Sequence, residues 1–62
     1  MCDINAFMRV DGKEEKIMEN VDRVETRSDG MFLANIFGEE KTVRGRIVFF
    51  DNGQKKMVLE PV

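Results

Sequence analysis

The chain has 62 residues, enough for one domain and too few for a second hydrophobic core. Its net charge is −2 and its acidic and basic residues are interleaved, so bulk electrostatics give no reason to expect a polyanionic partner. No apolar run has the length of a membrane span and no basic stretch precedes an apolar one at the N-terminus, so we expect a cytoplasmic protein.

Glycine-containing turn signals divide the chain into segments of strand length. They lie at residues 11–12, 28–30, 38–39 and 51–53. The first of them, Asp-Gly, is a strong two-residue hairpin signal because glycine tolerates positive φ. This spacing predicts an all-β fold: a small antiparallel barrel of SH3-like or Sm-like type with five to six strands, forming a single domain over residues 1–62.

The first half of the chain predicts three strands. Residues 4–10 alternate, with Ile4, Ala6, Met8 and Val10 on one face. The run 16–19 is expected to pair back across the hairpin turn, and 21–27 forms the next strand. A helix over 13–27 is the alternative, because its apolar residues also lie at helical spacing. We favour strands, since a hairpin turn precedes the window and 20–26 is rich in poor helix formers.

The second half predicts three further strands, over residues 30–37, 42–50 and 56–60. The first is apolar on both faces, which indicates a central strand buried on one side and covered by a partner on the other. Gly45, inside the second, is expected at a sharp bend where the barrel closes. Four methionines lie in strand-like runs and are expected to fill the core: Met8, Met18, Met31 and Met57.

The residues that could support catalysis are few. Histidine is absent, so neither Ser28 nor Thr42 has an imidazole to activate it. The paired acids beside turns are most simply solvated charges, and the chain has no glycine-rich phosphate loop. We therefore expect a protein that is not an enzyme. With one cysteine the chain cannot form an internal disulfide, so a homodimer is the expected source of additional stability.

Cys2 is the one residue whose position indicates chemistry. Free cysteine is often a small buried hydrophobe, and that interpretation stays open. Beside the chain terminus, however, a thiolate can chelate together with the amine and a backbone nitrogen, whether or not Met1 is removed. Such nitrogen and thiolate donors suit Ni(II) or Cu(II), and Cu(I) and Zn(II) also bind thiolates. The neighbouring Asp3 carboxylate could assist, although a solvated end charge is its simpler interpretation.

The sequence resembles the CooT family. The resemblance lies in Met1 and Cys2 at the start, the segment NIFGEE at 35–40, the segment VRGRI at 43–47 and the closing MVLE at 57–60. CooT proteins are small nickel-binding accessory proteins linked to maturation of carbon monoxide dehydrogenase, and many relatives were catalogued as RNA-binding. The resemblance implies that Cys2 binds Ni(II), that the protein is a homodimer and that its client is a nickel enzyme such as that dehydrogenase.

RNA binding is the competing hypothesis. Arg44-Gly45 is reminiscent of the Arg-Gly pair of Sm-like barrels, and Arg44 and Arg46 lie one strand period apart. With Phe49 or Phe50 nearby they could form a stacking surface. The simpler interpretation is that the arginines pair with Glu25, Glu39 or Glu40. We favour it because the protein is acidic and has no basic stripe.

Overall fold

The computed structural model describes residues 3–62, and within them it contains β-strands and turns but no helix. No segment of this described part forms a helix able to span a membrane. The strands are β1 (Ile4–Val10), β2 (Lys13–Arg27), β3 (Gly30–Asn35), β4 (Glu40–Val43), β5 (Gly45–Asp51) and β6 (Lys56–Pro61).

All six strands form one sheet, in the order β4-β3-β2-β1-β6-β5, which curls into a half-barrel. The predicted all-β fold of about six strands is therefore confirmed. The predicted fully antiparallel pairing is not, because β1 and β6 run parallel. β4 and β5 are the two edge strands of the sheet, and only Arg44 separates them along the chain. The chain therefore passes from one edge of the curled sheet to the other at this bend, and the β5–β6 hairpin then places β6 parallel to β1.

β2 is one strand of 15 residues, and the helical alternative for this window is wrong. Asn20 has a positive φ of 57°, and the pairing register shifts on both sides of this point. Extra residues in one strand bend it and increase its twist, which is the effect of a β-bulge. The bend lets Val21 pair with Ile4 of β1 and with Asn35 of β3.

The predicted strand over residues 42–50 is divided in the structure. It separates at Arg44 into β4 and β5, and Gly45 is the first residue of β5. A Cβ at Gly45 would lie 2.7 Å from the carbonyl oxygen of Glu60. Glycine is therefore required here by the close approach of β6, as expected at a tight strand corner.

The core lies on the concave face of the half-barrel. Leu33 and Leu59 are fully buried, and three of the methionines predicted to fill the core are buried beside them, with Met8 packed against the cluster. Methionine fills irregular gaps because its side chain is unbranched and flexible. The buried cluster consists of Ile4, Ala6, Met18, Val21, Met31, Leu33, Met57 and Leu59.

The opposite face of β3 is covered by side chains of the same chain. Phe32 is only 5% exposed, and the guanidinium groups of Arg23 and Arg27 lie 5.1 and 4.0 Å from the centre of its ring. Guanidinium groups stack favourably on aromatic faces, and their aliphatic stems exclude water. The expectation that β3 needs a partner on its second face is therefore wrong.

The loop between β3 and β4 is organised by the buried side chain of Asn35. Its Oδ1 accepts hydrogen bonds from the backbone N–H groups of Phe37 and Glu39, at 3.1 and 3.0 Å. Its Nδ2 donates to the backbone oxygen of Glu19 and to Glu39 Oε1. The NIFGEE segment is thus a turn with every polar atom of its central amide satisfied, and Phe37 is left exposed at its tip.

Candidate metal centre

The proposed principal ligand, Cys2, lies outside the residues that the structure describes. The description begins at Asp3, the second predicted ligand, which precedes β1. The Asp3 side chain is exposed, and its Oδ2 lies 3.4 Å from Lys55 Nζ. An exposed pair of this kind is weak and exchanges readily with water, so the carboxylate is accessible to a cation that approaches from solvent.

The chain is fixed immediately after Asp3. Ile4 is buried in the core at 3% exposure, and the backbone N–H of Asn5 donates to the carbonyl oxygen of Lys55 at 2.9 Å. Lys55 itself has a φ of 55°, which places it in the tight turn before β6. Lys55 therefore contacts both the backbone of β1 and the carboxylate of Asp3. Asp3 is exposed and Ile4 is buried, so the described chain enters the core between these two residues.

An apolar concavity of about 240 Å³ lies beside the start of β1. Its rim carries the charges of Asp22 and Arg23, and the rest of its lining is hydrophobic. A pocket with so few oxygen or nitrogen donors is poorly suited to hold a metal ion by itself. Its lining residues are Ile4, Val21, Asp22, Arg23, Val24, Phe50 and Met57.

Within residues 3–62 no three acidic residues lie close enough together to hold a metal ion. The whole sequence has no histidine, and its only cysteine is Cys2. The methionine thioethers are also soft ligands, but Met18, Met31 and Met57 are buried in the core and Met8 packs against it. The donors that suit a soft or borderline metal near the start of β1 are therefore Cys2 and adjacent nitrogen, with Asp3 as the neighbouring carboxylate. This donor chemistry fits Ni(II), which accepts nitrogen and thiolate ligands in a planar arrangement.

Two carboxylates of β2, those of Glu14 and Glu25, are paired with basic side chains. Lys56 Nζ lies 2.7 Å from Glu14 Oε1, and this hydrogen bond, with the charges of Lys56 and Arg9, lowers the pKa of Glu14 despite some desolvation. A hydrogen bond from Arg27 lowers the pKa of Glu25 in the same way, reinforced by the charges of Arg27 and Arg23. Carboxyl groups with lowered pKa values are ionised at neutral pH and poor proton donors.

The two arginines of the RNA hypothesis, Arg44 and Arg46, do not lie on one strand as predicted. Arg44 lies in the bend between β4 and β5, so only Arg46 belongs to a strand. The expected pairing of these arginines with Glu25, Glu39 or Glu40 is wrong, because neither has an ion pair among the described residues. Arg44 and Arg46 nevertheless line one concavity, of about 350 Å³.

The stacking surface of the RNA hypothesis is not assembled. Neither Phe49 nor Phe50 lines the concavity that contains Arg44 and Arg46, and Phe50 instead lines the apolar one beside β1. Binding of single-stranded nucleic acid combines basic groups with aromatic platforms for the bases. The structure separates these two elements, so the Sm-like alternative is not favoured.

Comparison with known proteins gives the family directly. The family model described as "CO dehydrogenase accessory protein CooT" matches residues 1–60 of the chain. The chain belongs to the CooT family. A crystal structure provisionally described as that of CooT from Carboxydothermus hydrogenoformans is 31% identical, covers 98% of each chain and superimposes with a TM-score of 0.92. No protein with a curated description matches.

CooT membership agrees with the resemblance carried by the sequence motifs and supports an accessory role in the CO dehydrogenase system. The matched region includes Cys2 and Asp3. The internal motifs have structural roles: NIFGEE forms the turn organised by Asn35, and VRGRI spans the corner at Gly45. Sequence reasoning missed the contact between Asp3 and Lys55, for which 52 positions of separation left no local signal.

Proposed function

We propose that this protein is a nickel-binding accessory protein that holds Ni(II) at Cys2 and supplies it during maturation of CO dehydrogenase. Membership of the CooT family is the observation that carries the proposal. An accessory protein transfers an ion and need not catalyse a reaction, in keeping with a chain that has no histidine. Such a carrier acts in the cytoplasm, where nickel enzymes are assembled and a lone cysteine stays reduced.

The chemistry of Cys2 supports nickel as the cargo. The thiolate is the metal-binding form of cysteine, and a chelate ring with backbone or amine nitrogen increases its affinity. Because the ligands must lose protons, binding is stronger at higher pH and releases protons. A site with few ligands near the end of a chain also suits a carrier, since the ion must later pass to another protein.

Asp3 is assigned a secondary role. Its carboxylate is exposed and already lies near Lys55, so the local charge is close to neutral before a cation arrives. Bringing Ni(II) to the carboxylate would weaken this contact with the lysine. Exposed charge pairs contribute less than about 1 kcal/mol, so we expect the carboxylate to change nickel affinity by no more than about fivefold.

Absorbance titration with Ni(II) tests the site. The wild-type protein should develop thiolate-to-nickel charge-transfer bands in the near ultraviolet that saturate. Cys2→Ser should abolish these bands and leave the far-ultraviolet circular dichroism unchanged. Asp3→Asn should change affinity by at most about fivefold. Its matched control is Asp11→Asn, at an exposed turn with a positive φ of 54°, a conformation that asparagine tolerates.

Two outcomes would contradict this site. The first is nickel binding of equal affinity in Cys2→Ser, which would require donors elsewhere in the chain. The second is equal affinity in protein whose N-terminus is blocked by a fused tag, which would exclude the terminal amine as a ligand.

The proposed oligomeric state is a homodimer, and the exposed edge strand β5 is the surface that supports it. Ile47, Val48, Phe49 and Phe50 are consecutive and each is 37% to 48% exposed. β5 is the last strand of the sheet, so one side of its backbone has no neighbouring strand among residues 3–62. An exposed apolar edge is a template for pairing with a second copy of the strand.

Sedimentation equilibrium at micromolar concentration tests the dimer. We expect twice the 7.2 kDa chain mass. Val48→Lys should shift the protein toward the monomer, because a lysine on an edge strand opposes strand pairing. The control is Val10→Lys, which places the same charge at another exposed valine away from this edge. A monomeric wild-type protein, or equal dissociation by both variants, would refute the assignment.

A further inference from the structure

The concavity at the end of the half-barrel is distinct from the N-terminal region. It encloses about 350 Å³, a size at the lower end of small-molecule sites. It is formed by the β2–β3 hairpin turn, the bend between β4 and β5, and the end of β6. Its lining residues are Thr26, Arg27, Ser28, Asp29, Gly30, Met31, Arg44, Gly45, Arg46 and Val62.

Two arginine side chains of this concavity have no ion-pair partner. Arg44 and Arg46 are exposed, and neither has an acidic partner within 4 Å among the described residues. The other arginines of the chain, Arg9, Arg23 and Arg27, all have one.

The other charged groups of the lining do not pair with these two arginines. Arg27 is engaged, because its Nη2 lies 2.8 Å from Glu25 Oε1 and its guanidinium stacks on Phe32. Asp29 and the backbone carboxylate of Val62 also line the concavity, but neither forms an ion pair with Arg44 or Arg46. Both guanidinium groups therefore keep their hydrogen-bond donors available to an anion, and the Ser28 hydroxyl adds a neutral donor.

The backbone that carries the two arginines packs closely against neighbouring strands. An added Cβ at Gly30 would collide with the carbonyl oxygen of Val43, and one at Gly45 would lie 2.7 Å from that of Glu60. Gly45 also pairs with Pro61 of β6, and the N–H of Val62 donates to the carbonyl oxygen of Arg44, at 3.4 Å. These neighbours restrain the bend from both sides, so the entropy lost on binding falls mainly on the side chains.

We propose that Arg44 and Arg46 form a binding site for a small anion with several negative charges, carried by phosphate or carboxylate groups. Guanidinium groups bind both through paired hydrogen bonds, which are stronger when both partners are charged. The aromatic residues of β5 lie outside the concavity, so it offers charge recognition without a platform for bases. This assignment is independent of nickel binding and does not require Cys2.

Nuclear magnetic resonance of the full chain tests the site. ¹⁵N-labelled protein is titrated with inorganic phosphate or with citrate, at an ionic strength kept constant with sodium chloride. We expect saturable shifts confined to residues 28–30 and 44–46. The two dissociation constants, compared after allowance for the different charges of phosphate and citrate, show whether the site prefers phosphate groups or carboxylate groups. The Cys2→Ser protein should give the same result, which separates this site from the nickel site.

Charge-removing variants complete the test. Arg44→Gln and Arg46→Gln should each weaken binding by about tenfold, the effect of losing one charge-assisted hydrogen bond. The control, Arg23→Gln, removes the same charge at an exposed residue outside this concavity and should have no effect. The proposal is overturned by shifts that do not saturate or by equal loss in the control. Binding of single-stranded RNA that strengthens with chain length would also overturn it, because it would indicate a polyanion surface.

Discussion

Replacing Asn35, the last residue of β3, by alanine should strongly destabilise the protein. The side chain makes two hydrogen bonds as acceptor and two as donor, at 2.6 to 3.2 Å. At about 1 kcal/mol for each, allowing for some replacement by water, the expected loss is about 3 kcal/mol. A chain of this length is stable by only about 3–9 kcal/mol, so the loss is a large share of the total.

Urea denaturation followed by far-ultraviolet circular dichroism measures this loss, because the sequence has neither tryptophan nor tyrosine as a fluorescent probe. With a slope of about 1 kcal/mol per molar urea, the midpoint should fall by about 3 M. Asn52→Ala is the control, since this exposed turn residue makes no side-chain hydrogen bond within residues 3–62 and should change stability by less than about 0.5 kcal/mol. If both variants shift the midpoint equally, Asn35 does not hold the loop.

Asn35→Asp separates the contribution of the hydrogen bonds that the Asn35 side chain accepts from that of the hydrogen bonds that it donates. The substitution keeps the oxygen that accepts from Phe37 and Glu39 but removes both donor hydrogens. In the wild-type protein the amide nitrogen of Asn35 lies 2.6 Å from Glu39 Oε1, so the substitution places a second carboxylate next to that of Glu39. We expect a larger loss at pH 7 than at pH 4, because protonation of either carboxyl relieves the repulsion. A loss that does not depend on pH would refute this reasoning.

Two further predictions concern backbone and charge. Gly30→Ala should cost more than about 2 kcal/mol of unfolding free energy, because its φ is +139° and the added Cβ meets the Val43 carbonyl oxygen, whereas Gly12→Ala, with open space around it, should cost about 1 kcal/mol. Equal losses in urea denaturation would contradict the packing argument. The pKa of Glu14 is lowered by its hydrogen bond with Lys56, so the folded state binds fewer protons here. This stabilisation is fully present above the ordinary value of 4.5 and lost as the pH falls through the lower folded pKa. Glu14→Gln should therefore flatten the acid limb of stability against pH, and an unchanged limb would show that this carboxyl contributes nothing.

The strand pattern could be predicted because it depends on local features. The alternation over residues 4–10 and the glycine turns at 11–12 and 28–30 reflect periodicity and φ preferences that act within a few residues. The boundaries that failed are those set by contacts between distant residues. Gly45 indicated a bend within the predicted strand over 42–50, but the division at Arg44 into β4 and β5 depends on the approach of the end of β6, which is distant in sequence.

For the candidate site residues too, local sequence indicated the residue but not its distant contacts. Cys2 was identified from composition and its place in the sequence, and its role stays a prediction because it lies outside residues 3–62. Asp3 was also identified, but its contact with Lys55 was not, since that depends on the turn before β6. For Arg44 and Arg46, neither the predicted acidic partners nor the predicted aromatic neighbours are found in the structure.

Residue types and spacing were enough to predict the all-β class, the use of methionine in the core and the choice of Cys2, the one cysteine, as the candidate thiolate ligand. Each follows from residue types and short-range spacing. Three features became visible only in the folded chain: β6 runs parallel to β1, β5 is an exposed edge, and two arginines share a concavity without ion-pair partners. These features depend on which distant strands become neighbours, and that choice is made by burial of the whole core rather than by any single segment.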